Sequence, residues 1–187
     1  MRILISLVLA MSLVGCGGEE SPTGHEADVA FATDMIPHHA QALVMVDMVQ
    51  GRKVSSAFKA LTEQIRAAQA PEIEEMATWL DEWGEEIPET SRDHVNGGHG
   101  GHGDHGDLGG GHMSHGMVSA EDMEKLHAEK ADFESMWLRM MIEHHEGAID
   151  MAKDEIENGK DPRAIELAES MVTSQTAQIE TMENMLG

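Results

Sequence analysis

The 187 residues suffice for one ordinary domain with extensions, and 41% apolar residues can build a core. A net charge of −23 with histidines neutral repels phosphates, and no basic patch offsets it, which excludes nucleic acid as a partner. Aromatics make up only 3%, with no Tyr, whereas Met reaches 16 and His 12; thioethers and imidazoles together suit a site for Cu(I) and Cu(II). Composition alone favours the plainer alternative of a Met-rich helical core with surface histidines.

Residues 1–15 read as a lipoprotein signal peptide. Arg2 supplies the positive start, and the apolar run from Ile3 to Val14 is too short to span a bilayer. It ends in Leu13-Val14-Gly15-Cys16, which resembles the bacterial lipobox, so Cys16 is the expected lipidation site and membrane anchor. Cys16 is the single Cys, so no disulfide forms within the chain. Gly17 is not the inner-membrane retention Asp, which points to an outer membrane facing the periplasm in a Gram-negative cell. Residues 16–26 form a flexible tether.

Residues 27–84 read as a first helical hairpin. One helix is expected over 27–49, with Gly51 as its breaker, and a second over 54–83, where Phe58, Leu61, Ile65, Ala68, Met76, Leu80 and Trp83 keep three-and-four spacing. Pro71 should bend the second helix, while Pro37 either sits in a first turn or kinks the first. Residues 85–118 are a His/Gly-rich crossover with no means of packing a core, expected to be disordered. Its His99, His102, His105, His112 and His115 form an auxiliary low-affinity set for copper, zinc or nickel, feeding metal to the bundle; an inert spacer is the alternative. Residues 119–187 read as a second hairpin. One helix is expected over 119–157, N-capped by Ser119, and a last helix starts with Asp161 as N-cap and Pro162 at its first position.

The two hairpins are copies. Met35-Ile36-Pro37-His38-His39-Ala40-Gln41-Ala42-Leu43-Val44-Met45 aligns with Met141-Ile142-Glu143-His144-His145-Glu146-Gly147-Ala148-Ile149-Asp150-Met151 at an offset of 106 residues. The same offset pairs Leu61 with Leu167, Gln69 with Gln175, Ile73 with Ile179, Met76 with Met182 and Leu80 with Leu186. Two such hairpins imply an all-α four-helix bundle with antiparallel neighbours.

Chemistry concentrates in the repeated motif. On a helix, Met35, His39 and Ala42 fall near one line, with His38 and Met45 on its shoulder, and the second copy repeats this. Adjacent His rings point about 100° apart, so each pair suggests two roles: one ring toward the metal, the other at the edge or orienting its neighbour. A lone His on an apolar face is usually a hydrogen-bonded core residue. Two His-His pairs at matched positions, each flanked by Met, shift that balance toward ligation. His127 and Met140 either join the second site or merely pack. Glu124-Lys125-Leu126-His127 fits the Glu-x-x-His spacing of di-metal oxidases once, with no counterpart in the other hairpin. No nucleophilic Cys, phosphate loop or Ser-His-Asp set is present, so the expectation is a binding protein and not an enzyme, with a metal oxidase and a metal-free structural bundle as the alternatives.

Met-Ile-x-His-His-x-x-Ala-φ-x-Met, followed by Gln-x-x-x-Ile-x-x-Met, resembles the bacterial domain-of-unknown-function family numbered 305. The segments here are Met35 to Met45 with Gln69 to Met76, and Met141 to Met151 with Gln175 to Met182. The resemblance implies a ferritin-like bundle, exported, with members that bind copper in the periplasm and support copper resistance. Its implied ligands are Met35, His38, His39 and Met45, with Met141, His144, His145 and Met151. The expected function is an envelope lipoprotein that sequesters or buffers copper. Its partners would be metal ions and the membrane, with a homo-oligomer or other copper-handling envelope proteins as further candidates.

Overall fold

The computed structural model describes residues 25–90 and 115–187. The expected signal peptide, Cys16 and most of the tether, and His99, His102, His105 and His112 lie outside the described residues. The chain is all-α: α1 His25–Asp47, α2 Ser56–Trp83, α3 Ala120–Ala128, α4 Phe133–Asn158 and α5 Pro162–Leu186. The four long helices form the four-helix bundle that two hairpins imply, in the ferritin-like arrangement that the resemblance implies. α1 packs on α2, α4 on α5, and α1 on α4, whereas α2 and α5 scarcely meet. No helix among the described residues is long and apolar enough to cross a membrane.

Local chemistry explains the boundaries. Ser55 caps α2 by accepting from the Phe58 N–H at 3.2 Å, and Gly84 ends it with φ +77°, a left-handed turn that favours glycine. Ser119 caps α3 through the Asp122 N–H, and Asp161 caps α5 through the Arg163 N–H, with Pro162 in the first turn. α1 starts at His25, so the last two residues assigned to the tether are helical. α1 and α2 run unbroken through Pro37 and Pro71, so Pro37 lies in mid-helix and not in a first turn.

The single helix expected over 119–157 is two helices. Glu129 accepts from three successive backbone N–H groups, those of Lys130, Ala131 and Asp132, with its Oε1 at 2.8, 2.8 and 3.2 Å. Arg52, 77 positions away in sequence, donates to the Glu129 carbonyl at 2.6 Å and also to the His127 carbonyl, and its guanidinium lies 3.9 Å from the centre of the Phe133 ring. Those carbonyls and N–H groups would otherwise continue the helical ladder.

The duplication is visible as a crossed pair of clamps. Asp28 at the start of α1 accepts from the Lys160 and Asp161 N–H groups at the start of α5, at 2.7 and 3.0 Å. Glu134, its equivalent on α4, accepts from the N–H and hydroxyl of Ser55 ahead of α2, at 2.7 and 2.9 Å. Each copy thus holds the second helix of the other, with a negative side chain at a helix N-terminus.

Two core clusters fill the bundle. One gathers Phe31, Met35, Met76, Trp79, Leu80, Met151 and Met171. The other gathers Met45, Phe58, Leu61, Ile65, Trp137, Met141 and Met182. In the second, the Phe58 and Trp137 rings meet edge to face at 5.0 Å, a contact worth about 1 kcal/mol beyond burial. The Trp137 indole N–H donates to the Met45 carbonyl at 2.9 Å, satisfying its polar end inside the core.

Candidate metal centre

The two His-His pairs meet at the middle of the bundle, where α1 and α4 cross. The rings of His38 and His144, equivalent residues of the two copies, stack with centroids 3.7 Å apart. Their neighbours turn outward along their own hairpins. Nε2 of His39 lies 2.8 Å from a Glu72 carboxylate oxygen on α2, and Nε2 of His145 lies 2.7 Å from Oε1 of Gln178 on α5. Glu72 and Gln178 are themselves related by the 106-residue offset. The two rings of each pair thus meet different neighbours.

All four rings are buried, at 2% exposure or less. His38 donates from Nε2 to the His115 carbonyl at 2.9 Å, which leaves Nδ1 as its lone-pair nitrogen. Nδ1 of His38, His39 and His145, and both nitrogens of His144, make no hydrogen bond of normal geometry. The Nε2 partner of His145, an amide oxygen, accepts a proton, so the Nδ1 of that ring also presents a lone pair. Burial pushes the His38 imidazole down to about 3, with the neighbouring His39 adding to it. Burial likewise lowers His144 well below its usual value, and lowers His145 to about 4. These three rings are held neutral, the form in which imidazole binds metals. Such orphaned buried atoms ordinarily cost about 1–3 kcal/mol each, so a cluster of them calls for a bound partner, water or ion. Among the described residues, no three His, Cys, Asp or Glu side chains gather into a metal-holding group.

The thioethers do not divide by motif. Met35 and Met45 are ten residues apart on α1, about 15 Å along the axis, so one ion cannot touch both. Because α1 and α4 run antiparallel across the histidine stack, Met35 shares a cluster with Met151, and Met45 shares the other with Met141. Each candidate site therefore mixes the copies. Met76 and Met171 add to the first cluster and Met182 to the second, where Ile65 stands at the position equivalent to Met171.

The expected auxiliary residue His115 belongs to this centre through its backbone carbonyl. His127 and Glu124 are exposed on α3, so the lone Glu-x-x-His does not reach the centre, and Met140 is half-buried against the second cluster. Glu143 and Glu146, which flank the second pair, face outward. Sequence reasoning missed Glu72 and Gln178. The signal was available: both stand 33 residues after a motif histidine and on the same repeat register. It also left Gln69 and Gln175 without a role. Both are buried, and none of their amide atoms has a hydrogen-bond partner.

The family model described as "Domain of unknown function (DUF305)" matches residues 28–186. No curated protein matches the chain. Among solved structures, a DUF305 fragment from Deinococcus radiodurans is 27% identical with a TM-score of 0.70, covering 89% of this chain and 99% of its own. A DUF305 protein from Streptomyces coelicolor is 30% identical with a TM-score of 0.70, covering 86% and 91%. CopM in its Cu(II)-bound form is 28% identical with a TM-score of 0.66, covering 85% and 95%, and CopM in its Cu(I)-bound form is 26% identical with a TM-score of 0.64, covering 84% and 93%. The match over nearly all the described residues, with the doubled histidine pair at the centre of the bundle, makes this chain a member of the DUF305 family.

Proposed function

We propose that this protein binds copper at the crossing of α1 and α4 and acts in the bacterial envelope as a copper-sequestering or buffering lipoprotein anchored through Cys16. The observation that carries the reading is His144: fully buried, face to face with its equivalent His38, with the His38 backbone carbonyl beside it but neither ring nitrogen in a hydrogen bond of normal geometry. A bundle whose histidines only packed would satisfy those atoms. Imidazole nitrogens drawn from His38, His39, His144 and His145, no three of which gather at one point, would hold copper together with thioethers, Met35 and Met151 on one side and Met45 and Met141 on the other. Imidazole suits Cu(II) and thioether suits Cu(I), so this donor set serves both states. CopM, in copper- and silver-bound forms, supports the same reading by similarity. The lipobox and short apolar leader support export and anchoring. The histidines of the crossover would capture copper, zinc or nickel weakly on its way to the bundle.

The full chain should bind copper in competition with a chelator. Replacing His38, His39, His144 and His145 by Ala should lower affinity by about a hundredfold or more. Undiminished affinity after those replacements would overturn the reading. Sustained dioxygen-dependent oxidation of Cu(I) or Fe(II) would replace it with a metal oxidase.

A further inference from the structure

The end of the crossover is built into the roof of the histidine pair. His38 donates to the His115 carbonyl at 2.9 Å. Three residues on, Val118 is held at both backbone groups by one side chain: its N–H donates to Gln41 Oε1 at 2.8 Å, and its carbonyl accepts from Gln41 Nε2 at 2.9 Å. Between these anchors the backbone lies flat on α4. Gly116 takes φ +71° and sits against the Glu143 carbonyl. Gly147 makes the approach feasible, since a Cβ there would run into the His115 carbonyl. Gln41 and Gly147 are equivalent positions of the two copies. One copy supplies the clasp, and the other supplies the gap into which the backbone fits.

We propose that residues 115–118 form a strap that gates the His38–His144 pair. Closed, the strap seals the pair from solvent and holds Nε2 of His38 on a backbone carbonyl. Open, it frees that ring and admits the ion. Entry of copper then competes with strap closure, so the two are coupled by mass action. The metal-gating half of this inference rests on the function proposed above; the sealing half does not.

The test uses the folded full chain and two variants, each checked by circular dichroism. Gln41→Leu removes both bonds to Val118, and Gly147→Ala pushes the strap outward while improving helix propensity at that position. The metal-free readout is the rate at which diethyl pyrocarbonate acylates His38 and His144, followed by peptide mass spectrometry. Both rings should react slowly in the parent chain, and about tenfold faster or more in either variant, with His127 unchanged as an exposed reference. The second readout is Cu(II) association by stopped-flow tryptophan fluorescence, which should quicken by a similar factor. Parent-like reactivity in both variants overturns the strap. Raised reactivity with unchanged Cu(II) association overturns the gate. Raised reactivity with no copper binding in any form leaves the strap standing and removes the proposed function. If one variant fails to fold, the other decides.

Discussion

The two hairpin copies keep the same scaffold and diverge around the centre. Both retain the stacked histidine, the outward histidine, the buried glutamine and the crossed acidic clamp at a helix start. They differ where His39 meets a carboxylate and His145 an amide, and where Gln41 clasps the strap that Gly147 accommodates. They differ again where the second copy buries Glu155 at the position of Val49. Symmetry-related backbone thus carries asymmetric chemistry. The duplicated part builds the bundle and brings four imidazoles together, and the divergent part sets how each half is closed and charged.

Three measurements would break or sharpen this comparison. The largest effect should come from acid. His38, His144 and His145 titrate near 6.5 when unfolded but are depressed by burial in the fold, His38 to about 3 and His145 to about 4. The unfolded chain therefore binds more protons than the folded one below pH 6.5, so stability is fully present above that value and is lost as pH falls. Each ring contributes a slope of about 1.4 kcal/mol per pH unit, so three rings approach the whole stability of a domain within about two units. The metal-free protein should unfold between about pH 6 and 4, as followed by helical circular dichroism. A flat profile through that range would mean that the histidines are not held neutral in the core.

A smaller effect should separate the copies. Glu72→Leu and Gln178→Leu each remove the acceptor that orients one outward histidine, and each should weaken copper affinity by about ten- to a hundredfold. The loss should be larger for Glu72, whose carboxylate polarises its ring more than an amide does. Equal losses would make the two halves electronically alike.

The smallest concerns Glu155. Its carboxyl oxygens have no donor, it lies beside Asp28, and it is folded back against Gly159, where a Cβ would strike its side chain. Burial, with Asp28 beside it, pushes its carboxyl up from 4.5 to about 8. The folded chain therefore holds a proton that the unfolded chain releases, and stability falls as pH rises from 4.5 through 8. Glu155→Gln keeps a permanent donor toward Asp28. It should raise stability by at least about 1 kcal/mol at pH 8, read as a rise in Tm, and by nothing at pH 4. A gain of the same size at both pH values would show that Glu155 is not protonated in the fold.

Much of this was legible in the residues. Apolar spacing with Ser, Asp, Gly and Pro punctuation marks the four long helices, because a helix must bury one face and satisfy its ends. The 106-residue offset pairs His38 with His144 and even Glu72 with Gln178, because a duplicated hairpin repeats its own side-chain contacts. What crosses between the copies was not legible. The break at Glu129 combines a local cap by its own carboxylate with the hold of Arg52, far away in sequence, and helical spacing over 119–157 does not reveal the second. The motif places Met35 on the central line of one helix face and Met45 on its shoulder, yet antiparallel packing assigns them to different clusters, each with a methionine of the other copy. The strap depends on a glutamine from one repeat and a missing side chain in the other. By itself the sequence determined the helices, the duplication and the donor types, all of which follow from periodicity and composition. Only the tertiary structure decided which donors share a site, because that depends on how α1 lies across α4, and helical spacing within either one carries no record of the crossing.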